Sequence, residues 1–386
     1  MARARSLPRY RRSPFLVIYW RAGALLVHNY ATGGVATVPP RTAELLDFFA
    51  DWHTASEFAD RTAVPLPAVR RLLKTMANAS LLQSSDAPRS VREKAMARWE
   101  AWNPAAGFFH TATRDVRFID PVEGQRALRR KAQTVALPAR VKRYRDAWSR
   151  DLPRVRAVGE FPRVLLSRRT WRQFARSPIT LDALATLLGL TGGIHQWAAV
   201  RGQGDFPFKT SPSGGARHPI EIYVWARRVN GLAPGLYHYR ADRHSLERLR
   251  AHRRPVSVKR YMPTQSWYEG AAAIVFFSSV YARYQWKYTY ARAYRATLIE
   301  AGHQCQTFCL VATWLGLAPF CTMALADSQI ERDLGLDGVS ESVLYAAGVG
   351  VRPRGDAVRS KPAGSPPLRM RPNRRVVDPS PNSRSS

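Results

Sequence analysis

The sequence predicts an α+β protein in two folded parts: a small winged-helix-like module, then a larger domain of strands and one long helix. Three observations predict it. Residues 15–82 read as three short strands followed by three helical patterns. Residues 220–351 carry strand-like runs on both sides of a long, proline-free helical stretch. A content of 45% hydrophobic and 11% aromatic residues over 386 positions allows more than one buried core.

The elements follow in order. FLVIYW at 15–20 and ALLVH at 24–28 flank Arg21-Ala22-Gly23, the pattern of a hairpin, and Val35 to Val38 makes a third strand that stops at Pro39-Pro40. Helical patterns follow at 42–50, 54–60 and 66–77, and a strand can return at Leu81-Leu82. The third helix places Leu66, Val69, Leu72, Leu73 and Met76 on one face, with Arg70, Arg71 and Lys74 on the other. Residues 86–160 are arginine-rich but contain Trp99, Trp102, Phe108, Phe109 and Trp148, too many aromatics for a plain linker. Thr180 suits an N-cap, ahead of a stripe of Leu181, Leu184, Leu187 and Leu188 that ends before Gly192-Gly193. Strands are expected at 220–225, 235–239, 271–278 and 343–351, and the long helix at about 290–315. Tyr294, Leu298, Ala301, Cys305, Phe308, Ala312 and Leu315 repeat there in steps of four and three, a seam for packing on another long helix of this subunit or a partner. The expected organisation is a basic arm at 1–12, a winged-helix-like domain at 13–85, a helical connecting region at 86–160, a second domain at 161–355 and a disordered tail at 356–386.

Charge is the anomaly. Sixty Lys+Arg against 28 Asp+Glu give a net charge of +32, a field that attracts nucleic acid, acidic membrane or acidic peptide alike. The longest apolar stretch, 270–280, is far short of a membrane span, and the basic start does not lead into a secretory signal. A soluble, cytoplasmic protein is therefore expected. Cys305, Cys309 and Cys321 are too few for a disulfide framework. The first two sit in an apolar helix and read as core, so no metal site is expected.

Five clusters carry chemistry. Ser167-Arg168-Arg169-Thr170-Trp171-Arg172 sets three guanidiniums and a hydroxyl close together, which suits a phosphate monoester or a solvated basic surface. Ser211-Pro212-Ser213-Gly214-Gly215-Ala216-Arg217-His218-Pro219 reads as a turn, or as a loop whose glycines let the backbone approach a flat ligand. Trp286-Lys287-Tyr288 sets a lysine among aromatics, where desolvation lowers an amine towards the range of a general base. The alternative there is a snorkelling lysine. Glu300-Ala301-Gly302-His303 lies on the long helix, and Gly348-Val349-Gly350-Val351-Arg352-Pro353-Arg354 ends the last strand with two arginines.

In order and spacing over about residues 160–355, these clusters resemble the SagB-type dehydrogenases and azoline oxidases of the FMN-dependent nitroreductase superfamily. Phe108-Phe109-His110 likewise resembles a segment that often precedes that domain. The resemblance implies a nitroreductase-like FMN domain, with a central sheet flanked by helices, and a homodimer with FMN at its interface. It implies that Arg168, Arg169, Thr170 and Arg172 hold the FMN phosphate and ribityl end, with Arg352 or Arg354 contributing. Pro212, Ser213, Gly214 and Gly215 would line the isoalloxazine, and Lys287 and Tyr288 would be the catalytic pair. One departure stands out: Gln306-Thr307 occupies a place where such proteins often have Gln-Asn.

The expected reaction is dehydrogenation of a thiazoline or oxazoline in a ribosomally made peptide, with a cyclodehydratase as the partner that builds the ring. The alternative is an NAD(P)H-dependent FMN reductase of a small acceptor. For residues 13–85 the favoured partner is the leader of the precursor peptide, bound by strand addition. DNA binding through Arg70, Arg71 and Lys74 is the disfavoured rival.

Overall fold

The computed structural model describes residues 7–116, 118–136, 158–200, 204–249 and 257–353. The N-terminal part opens with strands β1 (Arg9–Arg12), β2 (Leu16–Arg21), β3 (Ala24–Asn29) and β4 (Gly34–Thr37). Next come α1 (Thr42–Phe48), β5 (His53–Thr54), α2 (Ala55–Thr62), α3 (Leu66–Asn78) and β6 (Leu82–Ser84). β2, β3 and β4 form an antiparallel meander, while β1 lies between β5 and β6. Residues 9–12, expected within a free basic arm, are thus a central strand. Their alternating side chains gave no apolar signal, because this strand is identified by backbone pairing rather than burial. Val27, Leu46, Phe49, Val69, Leu73 and Met76 close the core of the module. Thr54 and Glu57 form a reciprocal capping box that starts α2, worth about 1 kcal/mol for such a cap.

The connecting region supplies α4 (Val91–Ala97), α5 (Ala105–Ala112) and α6 (Pro121–Thr134). Its tryptophans are core residues: Trp99 and Trp102 are almost fully buried, in one aromatic cluster with Phe15 and Tyr30 before them and Tyr281, Tyr284 and Tyr294 after them. His110 lies inside the same cluster, its Nδ1 2.9 Å from the Tyr294 hydroxyl and its Nε2 2.9 Å from the Gly338 carbonyl. Trp148 lies outside the described residues, as do Arg354 and the 356–386 tail.

The C-terminal domain continues with α7 (Glu160–Ser167), α8 (Leu181–Gly192), β7 (Gln196–Val200), β8 (Gly204–Phe208), β9 (Ile220–Ala226), β10 (Gly235–Arg240) and β11 (Ser245–Arg248). It ends with β12 (Ala273–Val280), α9 (Tyr281–Gln285), α10 (Ala293–Trp314), β13 (Ala318–Thr322), α11 (Asp327–Leu334) and β14 (Glu341–Gly350). Six strands form one antiparallel sheet in the order β11-β10-β9-β12-β14-β13. α8 and α10 cover one face, closing a core that includes Leu184, Leu188, Val224, Val275 and Phe308. On the other face Tyr261, Met262 and Ile330 pack on Trp225, Ile274 and Phe276.

Two proline-bearing strands were not legible. β8 contains Pro207 and β13 contains Pro319, and proline removes a ladder donor and so argues against a strand. β13 tolerates it because it lies at the sheet edge. The seam on the long helix also has a different use from the partner packing it allowed. Tyr294, Ala301, Cys305, Phe308 and Ala312 are buried within this chain. The residues α10 leaves outside include Ile299, 57% exposed, and Trp314, 48% exposed.

Candidate active site

Antiparallel register assembles the site. Ile220 on β9 pairs with Ser279 on β12, and Val280 N donates to Pro219 O at 2.8 Å. The glycine loop that precedes β9 and the Lys-Tyr turn that follows β12 therefore emerge at the same end of the sheet.

The loop is held from α10 at two points. Ser211 Oγ and Thr307 Oγ1 lie 3.0 Å apart. Gly214 N donates to Glu300 Oε1 at 2.8 Å and shares that proton with the Tyr284 hydroxyl at 3.0 Å. The Tyr284 O–H also donates to Glu300 Oε1. Inside the loop, Ser213 Oγ accepts from His218 N at 2.8 Å. Thr307 thus places a hydroxyl against the start of the loop. Burial raises the Glu300 carboxyl above its ordinary value, and it raises the Tyr284 phenol as well.

Gly215 adopts φ +61°, and a Cβ added there would sit 2.5 Å from Lys287 Nζ and 2.8 Å from the Tyr288 hydroxyl. The glycine is required by its backbone and again by its neighbours. The loop and the Lys-Tyr pair, two separate clusters in the sequence, thus meet at one atom's distance. Tyr288 itself lies beside Tyr284 and Tyr290, with ring centroids 5.5 and 6.0 Å away. Its backbone is clamped from the connecting region, where Trp102 Nε1 donates to Tyr288 O at 2.9 Å. Lys287 remains exposed, so the desolvation expected of it is not supplied by this single chain.

Arg217 extends the same surface, with its guanidinium 4.5 Å from the Phe206 ring centroid and 4.6 Å from that of Trp286. Beside it a cavity of roughly 610 Å³ is lined by Lys209, His218, Glu221, His238 and Arg283. Burial pushes His218 down to about 4, so it is neutral, while its hydrogen bond to Glu221 raises His238.

The arginine cluster is elsewhere. Trp171 N donates to Pro319 O at 2.9 Å and Ala175 N to Val351 O at 3.0 Å, which docks residues 168–175 on β13 and the end of β14. Because Ala273 pairs with Val349 and Ser279 with Ser342, this is the opposite end of the sheet, about 23 Å along β12 from the glycine loop at ~3.3 Å per residue. Arg168 is half-buried, while Arg172 is exposed. Arg169 folds its Nη1 onto Leu166 O at 2.9 Å and Arg168 O at 2.8 Å. Arg352, read as a phosphate ligand, instead directs Nε to Leu317 O at 2.9 Å and Nη2 to Thr313 O at 3.2 Å. Thr313 O lies in the last turn of α10 and Leu317 O just beyond it, where the negative end of the helix attracts a cation. Sequence reasoning missed Tyr284 and Trp102 as site residues and gave Glu300 no role. Only the EAGH cluster hinted at the last.

The nitroreductase family pattern matches residues 165–351. Protein MJ1384 of Methanocaldococcus jannaschii, designated a nitroreductase, is 32% identical over 189 residues, covering 49% of this chain and 90% of that protein. The chain belongs to the nitroreductase family. Members of this family are generally FMN-dependent oxidoreductases. The trifolitoxin-processing protein TfxB of Rhizobium leguminosarum bv. trifolii is 29% identical over 174 residues, which are 44% of this chain and 46% of TfxB. This chain thus aligns with less than half of TfxB. Among solved structures, a chain of the E. coli microcin synthetase McbBCD complex with truncated pro-MccB17 bound is similar at a TM-score of 0.41 and 19% identity, covering 61% of this chain and 96% of that one.

The donor set suits this family's cofactor. Gly214 is exposed and free of side-chain bulk, as a flat ring requires, and basic residues at 168–172 suit a phosphate.

Proposed function

We propose that this chain is an FMN-dependent dehydrogenase that oxidises azoline rings, thiazoline or oxazoline, to azoles in a ribosomally made peptide. The observation that carries the reading is the approach of Lys287 Nζ and the Tyr288 hydroxyl to Gly215, beside an anchored, side-chain-free loop. A base so close to the flavin-facing loop is needed for removing a ring proton, and a simple flavin reductase has no use for it. Similarity to TfxB, whose name assigns it to trifolitoxin processing, supports a peptide substrate.

When bound, FMN supplies the two-electron acceptor. Glu300 and Thr307 hold the loop, so Gly214 and Gly215 would offer backbone to a flavin ring, with Pro212 and Ser213 beside it. Lys287 takes the azoline ring proton at Nζ, and the Tyr288 hydroxyl shares it. Arg168, Arg169, Thr170 and Arg172 hold the phosphate end. Since these stand at the far end of the sheet from the loop, a second copy related by a twofold axis across α10 brings one chain's arginines to the other's glycines. Exposed Ile299 and Trp314, with Phe161 and Leu165 on α7, are the surface for that copy. Its approach, with substrate, supplies the desolvation that Lys287 lacks alone.

The N-terminal module fits a leader peptide. Among the described residues β4 is an edge strand, and it borders a groove of roughly 1030 Å³ lined by Val38, Phe48, Phe58, Val64, Leu72 and Met76, with Arg41, Arg61, Glu44 and Asp47 as its charged residues. Strand addition on β4 with apolar anchors against α3 is the mode such a groove allows. A cyclodehydratase would deliver the azoline. Fluorescence titration with an acidic peptide and with duplex DNA at physiological salt separates leader binding from DNA binding.

The deciding experiment follows an azoline-containing peptide by mass under dioxygen. The expected result is a yellow protein that releases FMN on denaturation, with each ring losing two hydrogens. Lys287→Ala keeps its FMN and loses turnover; undiminished turnover removes Lys287 as the base. The second reading, an NAD(P)H-dependent reductase, draws on similarity to MJ1384. Rapid bleaching of bound flavin by NADPH selects it.

A further inference from the structure

The chain has three cysteines in 386 residues, and all three meet. Cys305 and Cys309 face inward from α10 and Cys321 reaches them from β13, with their sulfurs all within 4.8 Å of one another. None is in a disulfide. Cysteines used only as small apolar fillers have no reason to converge from two separate elements. A fourth donor stands beside them, the Tyr345 hydroxyl of β14, 3.4 Å from Cys321 Sγ.

The spacing matches a known coordination geometry. Zinc bonds of about 2.3 Å to sulfur and about 2.0 Å to oxygen give tetrahedral edges of about 3.8 Å between sulfurs and about 3.5 Å from sulfur to oxygen. The Tyr345–Cys321 distance of 3.4 Å is close to such an edge, and the three sulfurs lie within 4.8 Å of one another. Softness and charge select the ion. Thiolates exclude hard calcium and magnesium. Three thiolates leave one net negative charge on a divalent ion and two on a monovalent one, and an apolar core tolerates the first far better. Arg168 acts on Cys309 and Cys321 from the neighbouring segment.

We propose that Cys305, Cys309 and Cys321, with the Tyr345 hydroxyl, form a tetrahedral site for a divalent thiophilic cation, zinc. The ion ties the middle of α10 to the edge strand on which the arginine segment docks.

The test uses the full chain as purified, stripped with a chelator and titrated anaerobically with Co(II) and then Zn(II). The expected difference spectrum shows thiolate-to-cobalt charge transfer that saturates at one equivalent and is displaced by zinc, with about three protons released per ion. Cys321→Ser and Cys305→Ala each abolish the band with an unchanged far-UV circular dichroism spectrum. Cys321 is only half-buried at the sheet edge, so its variant decides the matter if Cys305→Ala does not fold. Absence of the band at saturating cobalt overturns the proposal, as does a band that survives in Cys321→Ser.

Discussion

Replacing Glu300 by alanine tests how the glycine loop is held. The carboxylate is 4% exposed and accepts from two donors, Gly214 N and the Tyr284 O–H. Hydrogen bonds to an ionised acceptor contribute roughly 1.5–3 kcal/mol each, and burying the carboxylate subtracts part of this, which leaves about 2–4 kcal/mol for the truncation. The raised carboxyl reports that same burial penalty. Urea denaturation at neutral pH gives the stability change, and flavin retained per chain after gel filtration reports the loop. Glu300→Gln keeps an acceptor oxygen without the charge and should lose less than about 1 kcal/mol. Since the folded carboxyl binds its proton more tightly than the unfolded one, a further, proton-linked part of the stability is fully present below the ordinary value of 4.5 and is lost as pH rises through the raised one, leaving the hydrogen bonds of the ionised group at neutral pH. Glu300→Gln removes that component. Alanine within about 0.5 kcal/mol of the parent, with full flavin retention, refutes the anchoring role.

Three further outcomes follow from the geometry. Gly215→Ala combines a left-handed φ, costing about 1–2 kcal/mol, with displacement of Lys287 and Tyr288; it should depress turnover more than stability, as a paired kinetic and urea measurement would show. Trp102→Phe leaves the Tyr288 carbonyl without its 2.9 Å donor; a loss of about 1–3 kcal/mol with slowed turnover is expected, and unaltered kinetics would detach the connecting region from the site. Burial, aided by Arg114, pushes His110 from 6.5 down to about 3, so its contribution is present above pH 6.5 and falls by about 1.4 kcal/mol per pH unit on acidification towards 3. Denaturation midpoints at stepped pH, compared with His110→Gln, check this, and identical slopes count against it.

How much of this was legible depends on the range of the interactions. Helices α3, α8 and α10 were readable because their signals lie three and four residues apart, and β9, β10, β12 and β14 because they are apolar runs bounded by turns. The proline-bearing β8 and β13 were not, since edge pairing overrides what proline implies locally. Among site residues, the glycine loop and the Lys-Tyr pair were visible as residue types. The use of Arg352 at a helix end was not, because that depends on which carbonyls lie beside it after folding.

By itself, the sequence determined the α+β class, the long helix and the family resemblance, all carried by short spacings and ordered motifs. Tertiary structure alone decided that Gly215 meets Lys287, 72 positions later, that Trp102 reaches Tyr288, and that three cysteines share one place. The physical reason is strand register. One antiparallel pairing, Ile220 with Ser279, sends two loops out of the same end of the sheet and leaves the arginines at the other.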